Sequence, residues 1–414
     1  MRSPPPHAPA AGALTGACYD LALEARVDGA ADEYRFAAAD GVCSKQSFRT
    51  PELLLADVLW DETGVDRLLV PEANYGVVGV LLAARCESVA MTESNARAAH
   101  LCEVNCRRNG VDASVSLATG VSTLAASGDD AGSDGVRRDS AEFGAVALAP
   151  EFDAFAFAPK PYAPIDVTAQ RIVDAAERVD SGGSVYLAAS EQTGLARYEA
   201  VLDDVTTALE HVEERGEYSV VRASLDDALE CGVPSFVSPR TVEASVDGVD
   251  LSFVSVPGVF SANRLDDGTR LLAETAPVAD GDRVLDLCCG NGALGTYAAS
   301  VADCHVVLTD VDRVATACAE RTLDAAGDDG SVVTADGVRG VRDESFDRVL
   351  CNPPTHATDR VLGDLFDRCR RVLAPTGDVF VVHHRDLDLR PQLSVFESVQ
   401  RHATAAEHVV VRAE

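Results

Sequence analysis

Lysine is almost absent from this 414-residue chain: Lys45 and Lys160 are the only two among its 35 basic residues, and the rest are arginine. Long apolar runs are also missing. A membrane-spanning helix needs about 18 or more consecutive apolar residues, so we expect no membrane span. Residues 1–17 lack the apolar core of a signal peptide and are rich in proline and alanine. We therefore predict a disordered tail there and a cytoplasmic protein.

Metal-ligand spacing is missing as well. The 12 cysteines are scattered, no CxxC pair occurs, and no cluster of cysteine and histidine has the spacing of a zinc site. Most of the cysteines lie within apolar patterns. We expect no metal site, and we expect the thiols to be buried and reduced.

Positive charge is scarce relative to negative charge. The 67 acidic residues give a net charge of −32 and are spread along the whole chain rather than gathered in a tail. This pattern resembles proteins from high-salt cytoplasms. In molar salt the Debye length is about 3 Å, and counterion release contributes little to binding. The acidity therefore does not exclude RNA, but it requires stacking, hydrogen bonds and arginine to do the binding.

The chain contains an internal repeat. Residues 24–44 resemble 243–261, 67–84 resemble 283–300, 89–110 resemble 306–327, and 152–164 resemble 346–358. The order is the same in both halves, and extra residues in the first half include the Gly/Asp-rich stretch 127–144. We predict two homologous domains that meet near 232–240, one over 18–231 and one over 232–414.

Each repeat begins with two alternating runs around an Asp-Gly turn, which indicates a β-hairpin. In the second repeat we predict strands at 283–288, 305–310, 331–336, 346–352 and 377–384. We predict helices at 294–301, 312–326, 358–373 and 391–399, and an added edge strand at 406–412. This alternation predicts an α/β fold with a mostly parallel, doubly wound sheet in each domain.

Glycine and aspartate mark the predicted strand ends of the second repeat. "DLCCGNGALG" contains Gly290, Gly292 and Gly295 after a strand and before a helix, where glycine lets the backbone approach a ligand. Asp286 and Asp310 end the first two strands, where carboxylates suit an ammonium group and ribose hydroxyls. Asp336 ends the third strand and suits an adenine amino group. A nicotinamide dehydrogenase would also use these glycines and Asp310.

The stretch "NPPTH" separates these two interpretations. Asn352-Pro353-Pro354 after the fourth strand resembles the signature of enzymes that methylate amines. The Asn352 side-chain oxygen and the Pro353 backbone carbonyl can each accept one N–H of a conjugated amine. Holding both hydrogens makes the nitrogen more tetrahedral and turns its lone pair towards a methyl donor, so catalysis is mainly orientation and polar preorganisation. A dehydrogenase has no use for this motif.

The second half resembles class I S-adenosylmethionine-dependent methyltransferases of the small-domain family, which includes ribosomal RNA guanine-N2 methyltransferases. The resemblance is carried by "DLCCGNGALG", by "NPPTH" and by "GVFSANRLDDGTRLLAE" (258–274), and it covers nearly all of 240–414. It implies two tandem Rossmann-like domains, the first degenerate, as in bacterial enzymes that act on small-subunit rRNA.

The resemblance also implies roles for single residues. The catalytic residues would be Asn352, Pro353, Pro354 and His356. S-adenosylmethionine would be held by Asp286, Cys288, Gly290, Gly292, Asp310, Asp336 and Asn352. The substrate would be contacted by Phe260, Thr269, Thr355 and His356. Thr355 replaces an aromatic residue that would stack on the base. The implied partner is ribosomal RNA, either free or within a small-subunit particle, and we expect a monomer.

The first half departs from this pattern. Val70 stands where Asp286 does, and Ala158 stands where Asn352 does. We predict that this copy keeps the fold but has lost donor binding and catalysis. Arg107, Arg108 and Lys160 are candidates for contacts with RNA phosphates, and the alternative is that they are solvated surface charges. Two alternatives stay open: methylation of another amine (a tRNA guanine, adenine N6 or a protein glutamine), or a non-catalytic RNA-binding assembly factor.

Overall fold

The computed structural model describes residues 18–25, 27, 29–120, 151–225, 235–328 and 330–414. The chain divides into two compact units, the first ending at Ser238 and the second running from Pro239 to Glu414. The predicted tail 1–17, the stretch 127–144, Cys231 and the part of the predicted boundary at 232–234 lie outside the described residues.

The first unit begins with a hairpin and continues as alternating strands and helices. Its elements are β1 (Cys18–Glu24), β2 (Glu33–Ala39), α1 (Thr50–Asp61), β3 (Arg67–Val70), α2 (Val77–Leu82), β4 (Ser88–Glu93), α3 (Ala96–Asn109), β5 (Ser114–Leu117), β6 (Phe152–Phe157), α4 (Ile165–Ala176), β7 (Val179–Ser190), α5 (Leu195–Val205), β8 (Ala208–Arg215) and β9 (Tyr218–Ser224). The main sheet has seven strands in the order β5-β4-β3-β6-β7-β9-β8.

The second unit repeats this plan. Its elements are β10 (Arg240–Val246), β11 (Val249–Ser255), α6 (Asp267–Thr275), β12 (Arg283–Leu287), α7 (Ala293–Val301), β13 (His305–Asp310), α8 (Arg313–Ala326), β14 (Gly330–Thr334), β15 (Phe346–Cys351), α9 (Asp359–Val372), β16 (Leu373–His384), β17 (Val399–Thr404) and β18 (His408–Ala413). The sheet order is β14-β13-β12-β15-β16-β18-β17.

The two sheets share one strand order, and in both the first five strands are mutually parallel and the last two strand pairings are antiparallel. The predicted α/β fold with two mostly parallel sheets, each preceded by a hairpin, is therefore confirmed. The hairpin turn of the second unit has positive φ at both Asp247 (48°) and Gly248 (80°). This conformation suits a two-residue turn between twisted strands and explains the Asp-Gly pair.

The core of the second unit lies on both faces of its sheet. Val284 and Leu350 point to one face with Phe380, whereas Leu285 and Val349 point to the other, and all five are essentially inaccessible. Strands buried on both sides give nearly continuous apolar runs, as parallel sheets require. Because β12 pairs in parallel with both β13 and β15, the carboxyl ends of these three strands lie side by side at one edge of the sheet.

Three predictions about the C-terminal part are wrong. Residues 390–397 form turns instead of the predicted helix 391–399, because Leu393 and Phe396 reach the core from a turn. Strand β17 follows and was not predicted. Strand β18 lies between β16 and β17, so it is an inner strand and β17 is the edge. Strand β14 ends at Thr334, so Asp336 lies beyond the strand rather than at its end.

The cysteines within the described residues are all free thiols. Six of them are buried, four are half-buried, and Cys18 is exposed. Within the described ranges, no three histidine, cysteine or acidic side chains are grouped closely enough to hold a metal ion. Of the helices that the structure describes, none combines the length and the apolar character needed to cross a bilayer.

Candidate active site

The loop after β12 adopts a left-handed backbone at alternate residues. The φ angles are +63° at Cys288, +55° at Gly290 and +83° at Gly292. A Cβ at Gly292 would lie 3.0 Å from Leu308 and from Ala319, so only glycine fits there. A Cβ at Gly290 would meet nothing within 4 Å. The loop therefore leaves open space beside Gly290, where a ligand can approach the backbone.

Asp286 lies under this loop and is 1% exposed. Its Oδ2 accepts a hydrogen bond from the Gly295 backbone N–H at 2.9 Å. Burial raises the pKa of Asp286 to about 7; the Gly295 hydrogen bond opposes this rise and the nearby Asp310 adds to it. A buried carboxyl group with this pKa favours a cationic partner, such as the ammonium group of an amino acid.

Asp310 connects the loop to the next strand. Its Oδ2 accepts from Gly290 N–H at 2.9 Å, and its Oδ1 accepts from Asp312 N–H at 3.0 Å. Burial raises the pKa of Asp310, and these backbone donors oppose the rise. Asp336 is also buried, two residues past the end of β14. The three predicted acids thus lie at or just beyond the carboxyl ends of three neighbouring parallel strands.

Asn352 follows β15 and is half-buried. Its Nδ2 donates to Thr269 Oγ1 at 2.9 Å and to Asp266 Oδ2 at 3.1 Å. Asp266 is the N-cap of α6, where its side chain accepts from the Thr269 backbone N–H at 2.8 Å. Asp266 was missed by the sequence analysis, although an aspartate directly before an amphipathic helix is a recognisable N-cap signal.

A cleft in the second unit brings many of the predicted residues together. Its lining includes Phe260, Thr269, Asp286, Cys288, Gly290 and Asn352 from the predicted set, together with Phe253, Ser261, Arg264, Leu265, Asp266, Cys289, Asn291, Ala293 and Leu294. Predicted residues outside this lining are Gly292, Asp310, Asp336, Pro353, Pro354, Thr355 and His356.

The predicted residues near the cleft differ in exposure. Thr355 and His356 are exposed, and Pro353 is buried. Phe260 is 62% exposed, so the cleft offers an aromatic ring.

The corresponding loop of the first unit keeps the backbone but changes the side chains. Glu72, Asn74 and Gly76 have φ of +50°, +58° and +88°, matching the three left-handed positions of the second unit. The Asn74 N–H donates to Glu93 Oε2 at 2.8 Å, as Gly290 does to Asp310. The first unit therefore retains the loop geometry and one of the strand-end acids.

Lys160 occupies the space between these acids. Its Nζ lies 2.6 Å from Glu93 Oε1 and 2.9 Å from Glu72 Oε2, and Glu72 also pairs with Arg171 at 3.1 Å. Burial alone would lower the pKa of Lys160, but the two carboxylates raise it above its ordinary value. Lys160 is 7% exposed. The prediction that it contacts an RNA phosphate is therefore wrong.

A second buried cation lies at the motif that replaces "NPPTH". Arg49 donates to the carbonyl oxygens of Ala158 at 3.1 Å and Pro159 at 2.6 Å, and it pairs with Glu52 at 2.9 Å. Pro159 matches Pro353 in the repeat. In the first unit, the Arg49 guanidinium thus occupies the Pro159 carbonyl. In the second unit, the equivalent Pro353 carbonyl would accept from a substrate amine.

Arg107 and Arg108, the other two candidates for phosphate contacts, lie at the C-terminal end of α3. Arg107 lies 3.7 Å from Glu103, and Arg108 pairs with Asp20. Their proposed contact with RNA stays a prediction.

Residues 250–412 match the methyltransferase small domain family. Among curated proteins, the ribosomal RNA large subunit methyltransferase G of Aeromonas hydrophila is 32% identical over 190 residues, which are 44% of this chain and 50% of that protein. The ribosomal RNA small subunit methyltransferase C of Hahella chejuensis is 35% identical over 180 residues, which are 39% of this chain and 52% of that protein. The chain thus spans about half the length of these relatives.

A solved structure resembles nearly the whole chain. It is the 16S rRNA N2 guanine methyltransferase of T. thermophilus, determined with AdoMet and guanosine, and its TM-score is 0.71 at 24% identity. The match covers 92% of this chain and 95% of that one. At this identity the likeness establishes the fold.

Proposed function

We propose that this chain methylates an exocyclic amine of a nucleobase, namely guanine N2 in ribosomal RNA, because residues 250–412 match the methyltransferase small-domain family. The methyl donor is S-adenosylmethionine, and the second unit carries the reaction. The observation that carries the proposal is the placement of Asn352. It lines the same cleft as Asp286 and Gly290, with both side-chain N–H groups engaged by Thr269 and Asp266.

The donor site follows from the edge of the sheet. Asp286 would accept the ammonium group of the donor, Gly290 would let the backbone approach it, and Asp310 would accept from ribose hydroxyls. Asp336 would accept from the adenine amino group. These assignments fit a ligand with one cationic end and a nucleoside, because a buried carboxyl lies next to open space at a residue without a side chain. The donor, when bound, supplies a methyl group on a sulfonium.

The residues of the chain then act by orientation. Asn352 Oδ1 and the Pro353 carbonyl would each accept one N–H of the target amine. Holding both hydrogens localises the nitrogen lone pair and directs it at the methyl group. The N–C bond forms as the S–C bond breaks, and the sulfonium leaves as a neutral thioether. The methylated nitrogen is then positively charged and acidic, so it loses one proton to water without a strong base, and the contribution of the protein is positioning and preorganised polarity.

A nucleobase is the substrate class that the cleft favours. Phe260 presents an exposed ring in the lining of the cleft that holds Asn352. Stacking of a base on an aromatic ring contributes about 1–3 kcal/mol. We propose that Phe260 supplies the ring that Thr355 lacks, while His356 contacts the RNA. Stacking suits a protein with a net charge of −32, which we propose works in a high-salt cytoplasm as a monomer.

We also propose that the first unit binds no donor and instead docks RNA or supports the second unit. Its buried acids Glu72 and Glu93 are neutralised by Lys160 and Arg171. Arg49 uses the carbonyl of Pro159. Removing a buried cation from its carboxylates to admit a ligand would be costly. We therefore assign residues 18–231 to RNA docking or support of the second unit, and residues 232–414 to catalysis.

Nucleoside mass spectrometry tests the proposed function. Unmodified transcripts of small-subunit and large-subunit rRNA and of tRNA are incubated with S-adenosylmethionine in molar KCl, with the native protein or with Asn352→Ala. We expect N2-methylguanosine in one rRNA, and none with Asn352→Ala, which still binds the donor by calorimetry. Methyl transfer only to tRNA or to adenine would reject the proposed substrate. Methyl transfer by the Asn352→Ala protein at the native rate would reject the mechanism.

A further inference from the structure

Asp266 lies at the cleft, yet neither the family resemblance nor the motif analysis assigned it a role. Building on the proposed function, we propose that Asp266, together with Thr269, is a positioning residue that fixes the orientation of the Asn352 side-chain amide. In this orientation the amide oxygen is the group presented to the target amine.

The orientation follows from the chemistry of the three groups. An ionised carboxylate only accepts hydrogen bonds, and the only donor on an asparagine side chain is its NH₂ group. Contact between Asp266 Oδ2 and the Asn352 amide at 3.1 Å therefore requires the nitrogen to face Asp266. A flipped amide would set oxygen against carboxylate and NH₂ against the substrate N–H, which is unfavourable on both sides.

Thr269 strengthens this constraint. Its hydroxyl lies 3.3 Å from Asp266 Oδ2 and 2.9 Å from Asn352 Nδ2. Because the carboxylate can only accept, the hydroxyl proton points to Asp266, and the oxygen lone pairs are left for the second N–H of Asn352. Both N–H groups of the amide are thereby satisfied, and its oxygen stays available as an acceptor.

The positioning pair is itself held in place. Asp266 caps α6 through the Thr269 backbone N–H, and the helix is anchored in the core by Leu271 and Leu272. Asn352 lies 86 positions later in the sequence, after the central strand β15. The contact therefore aligns the start of α6 with the edge of the sheet where methyl transfer would occur.

The first unit provides an internal comparison. Residues 41–52 match 258–269 without a gap, and Ser44 and Ser261 share a left-handed backbone with φ of 56° and 52°. Arg49 is the N-cap residue of α1, as Asp266 is of α6. Asp266, Thr269 and Asn352 thus correspond to Arg49, Glu52 and Ala158.

All three positions differ together in the copy that lacks the amide. A residue needed only to start the helix would have no reason to change with Asn352. The arginine in its place makes no side-chain cap and donates to the carbonyls of Ala158 and Pro159 instead. The joint replacement is what we expect if Asp266 and Thr269 serve the amide.

Asp266→Ser separates the two roles of this residue. Serine is as good an N-cap as aspartate, but its shorter side chain does not reach Asn352. We expect kcat on rRNA transcripts to fall about 100-fold, the scale of a misplaced reacting group, with unchanged donor affinity and unchanged KM for RNA. Asp266→Asn keeps an acceptor oxygen and should retain most of the native kcat. Asn95→Ser, which shortens the N-cap of α3 in the first unit, is the matched control and should leave kcat unchanged.

A second measurement does not need catalysis. The side-chain amide protons of Asn352, identified in ¹⁵N-asparagine spectra by their loss in Asn352→Ala, should exchange slowly in the native protein and faster in Asp266→Ser. Unchanged exchange would overturn the proposal, as would a rise in KM at constant kcat, which would make Asp266 a direct contact of the base. If the native protein methylates no RNA, the proposed function fails, and amide exchange still decides whether Asp266 positions Asn352.

Discussion

The buried cation of the first unit offers a quantitative test of the interpretation that this copy has filled its own donor site. Lys160 has a side-chain exposure of 7%, and its partners Glu72 and Glu93 have 5% and 0%. Replacing Lys160 with methionine keeps the length and packing of the side chain but removes the charge. It removes the cation that pairs with Glu93 among the described residues, while Glu72 retains Arg171.

The expected cost is large. Removing one partner of a buried ion pair destabilises a protein by about 3–5 kcal/mol. Glu93 keeps hydrogen bonds from the backbone N–H groups of Asn74 and Asn95, so we expect a loss of about 3 kcal/mol at pH 8. Molar salt should change this little, because buried pairs are poorly screened.

The loss of stability caused by Lys160→Met should become smaller as the pH falls. Burial raises the pKa of Glu93, and without Lys160 its pKa should rise further. A carboxyl whose pKa is higher in the folded state than in the unfolded state favours folding at low pH, and this contribution is lost as pH rises through the folded pKa. The Lys160→Met protein should therefore regain stability relative to the native protein on acidification from pH 8 to pH 5.5, by up to about 1.4 kcal/mol per pH unit.

Urea unfolding followed by tryptophan fluorescence measures this directly, because the single tryptophan, Trp60, lies on α1 of the first unit. Arg107→Met is the matched control: Arg107 pairs with Glu103 at the surface, and such pairs contribute about 0.2–1 kcal/mol. Adding Glu93→Gln to Lys160→Met should restore stability. A loss below about 1 kcal/mol at pH 8, or no dependence on pH, would refute the view that Lys160 compensates buried carboxylates.

Three further outcomes are expected. Phe260→Ala should raise KM for rRNA at least about tenfold, as loss of one base stack predicts, whereas Phe260→Tyr should not; equal effects in both variants would exclude stacking. Donor affinity should fall as pH drops below about 7, because the pKa of Asp286 is raised to about 7 and protonation removes the charge that the ammonium group needs. Calorimetry at pH 6.5 in two buffers of different ionisation enthalpy should detect proton release when the donor binds. Titration of the full chain should give one donor per chain, and Asp310→Ala should reduce this to none, whereas residual binding would place a site in the first unit.

Much of the site was predictable because its residues follow local patterns. The loop glycines are required by left-handed backbone between a strand and a helix, and Asp286 and Asp310 stand at strand ends that apolar runs already indicate. Asn352 was found through the prolines that follow it. Each of these features is encoded within about ten residues, so a sequence window contains the physical reason for it.

The errors came where distant residues decide. The apolar spacing of Leu393 and Phe396 is compatible with a helix, but the core accepts both side chains from a turn, and β17 then finds a partner in β18. Likewise, the sequence next to Lys160 suggests a surface charge, because the two carboxylates that surround it, Glu72 and Glu93, come from other segments of the chain.

The duplication, the alternation of strands and helices, and the location of the candidate donor site in the second copy can be inferred from the amino-acid sequence, because backbone conformation and hydrophobic period are local properties. The pairing of the polar groups became visible in the folded structure. Asp266 meets Asn352 across 86 positions, and Lys160 meets Glu72 across 88. Such pairings depend on which strand ends become neighbours in the folded sheet, and that is settled by packing of the whole unit.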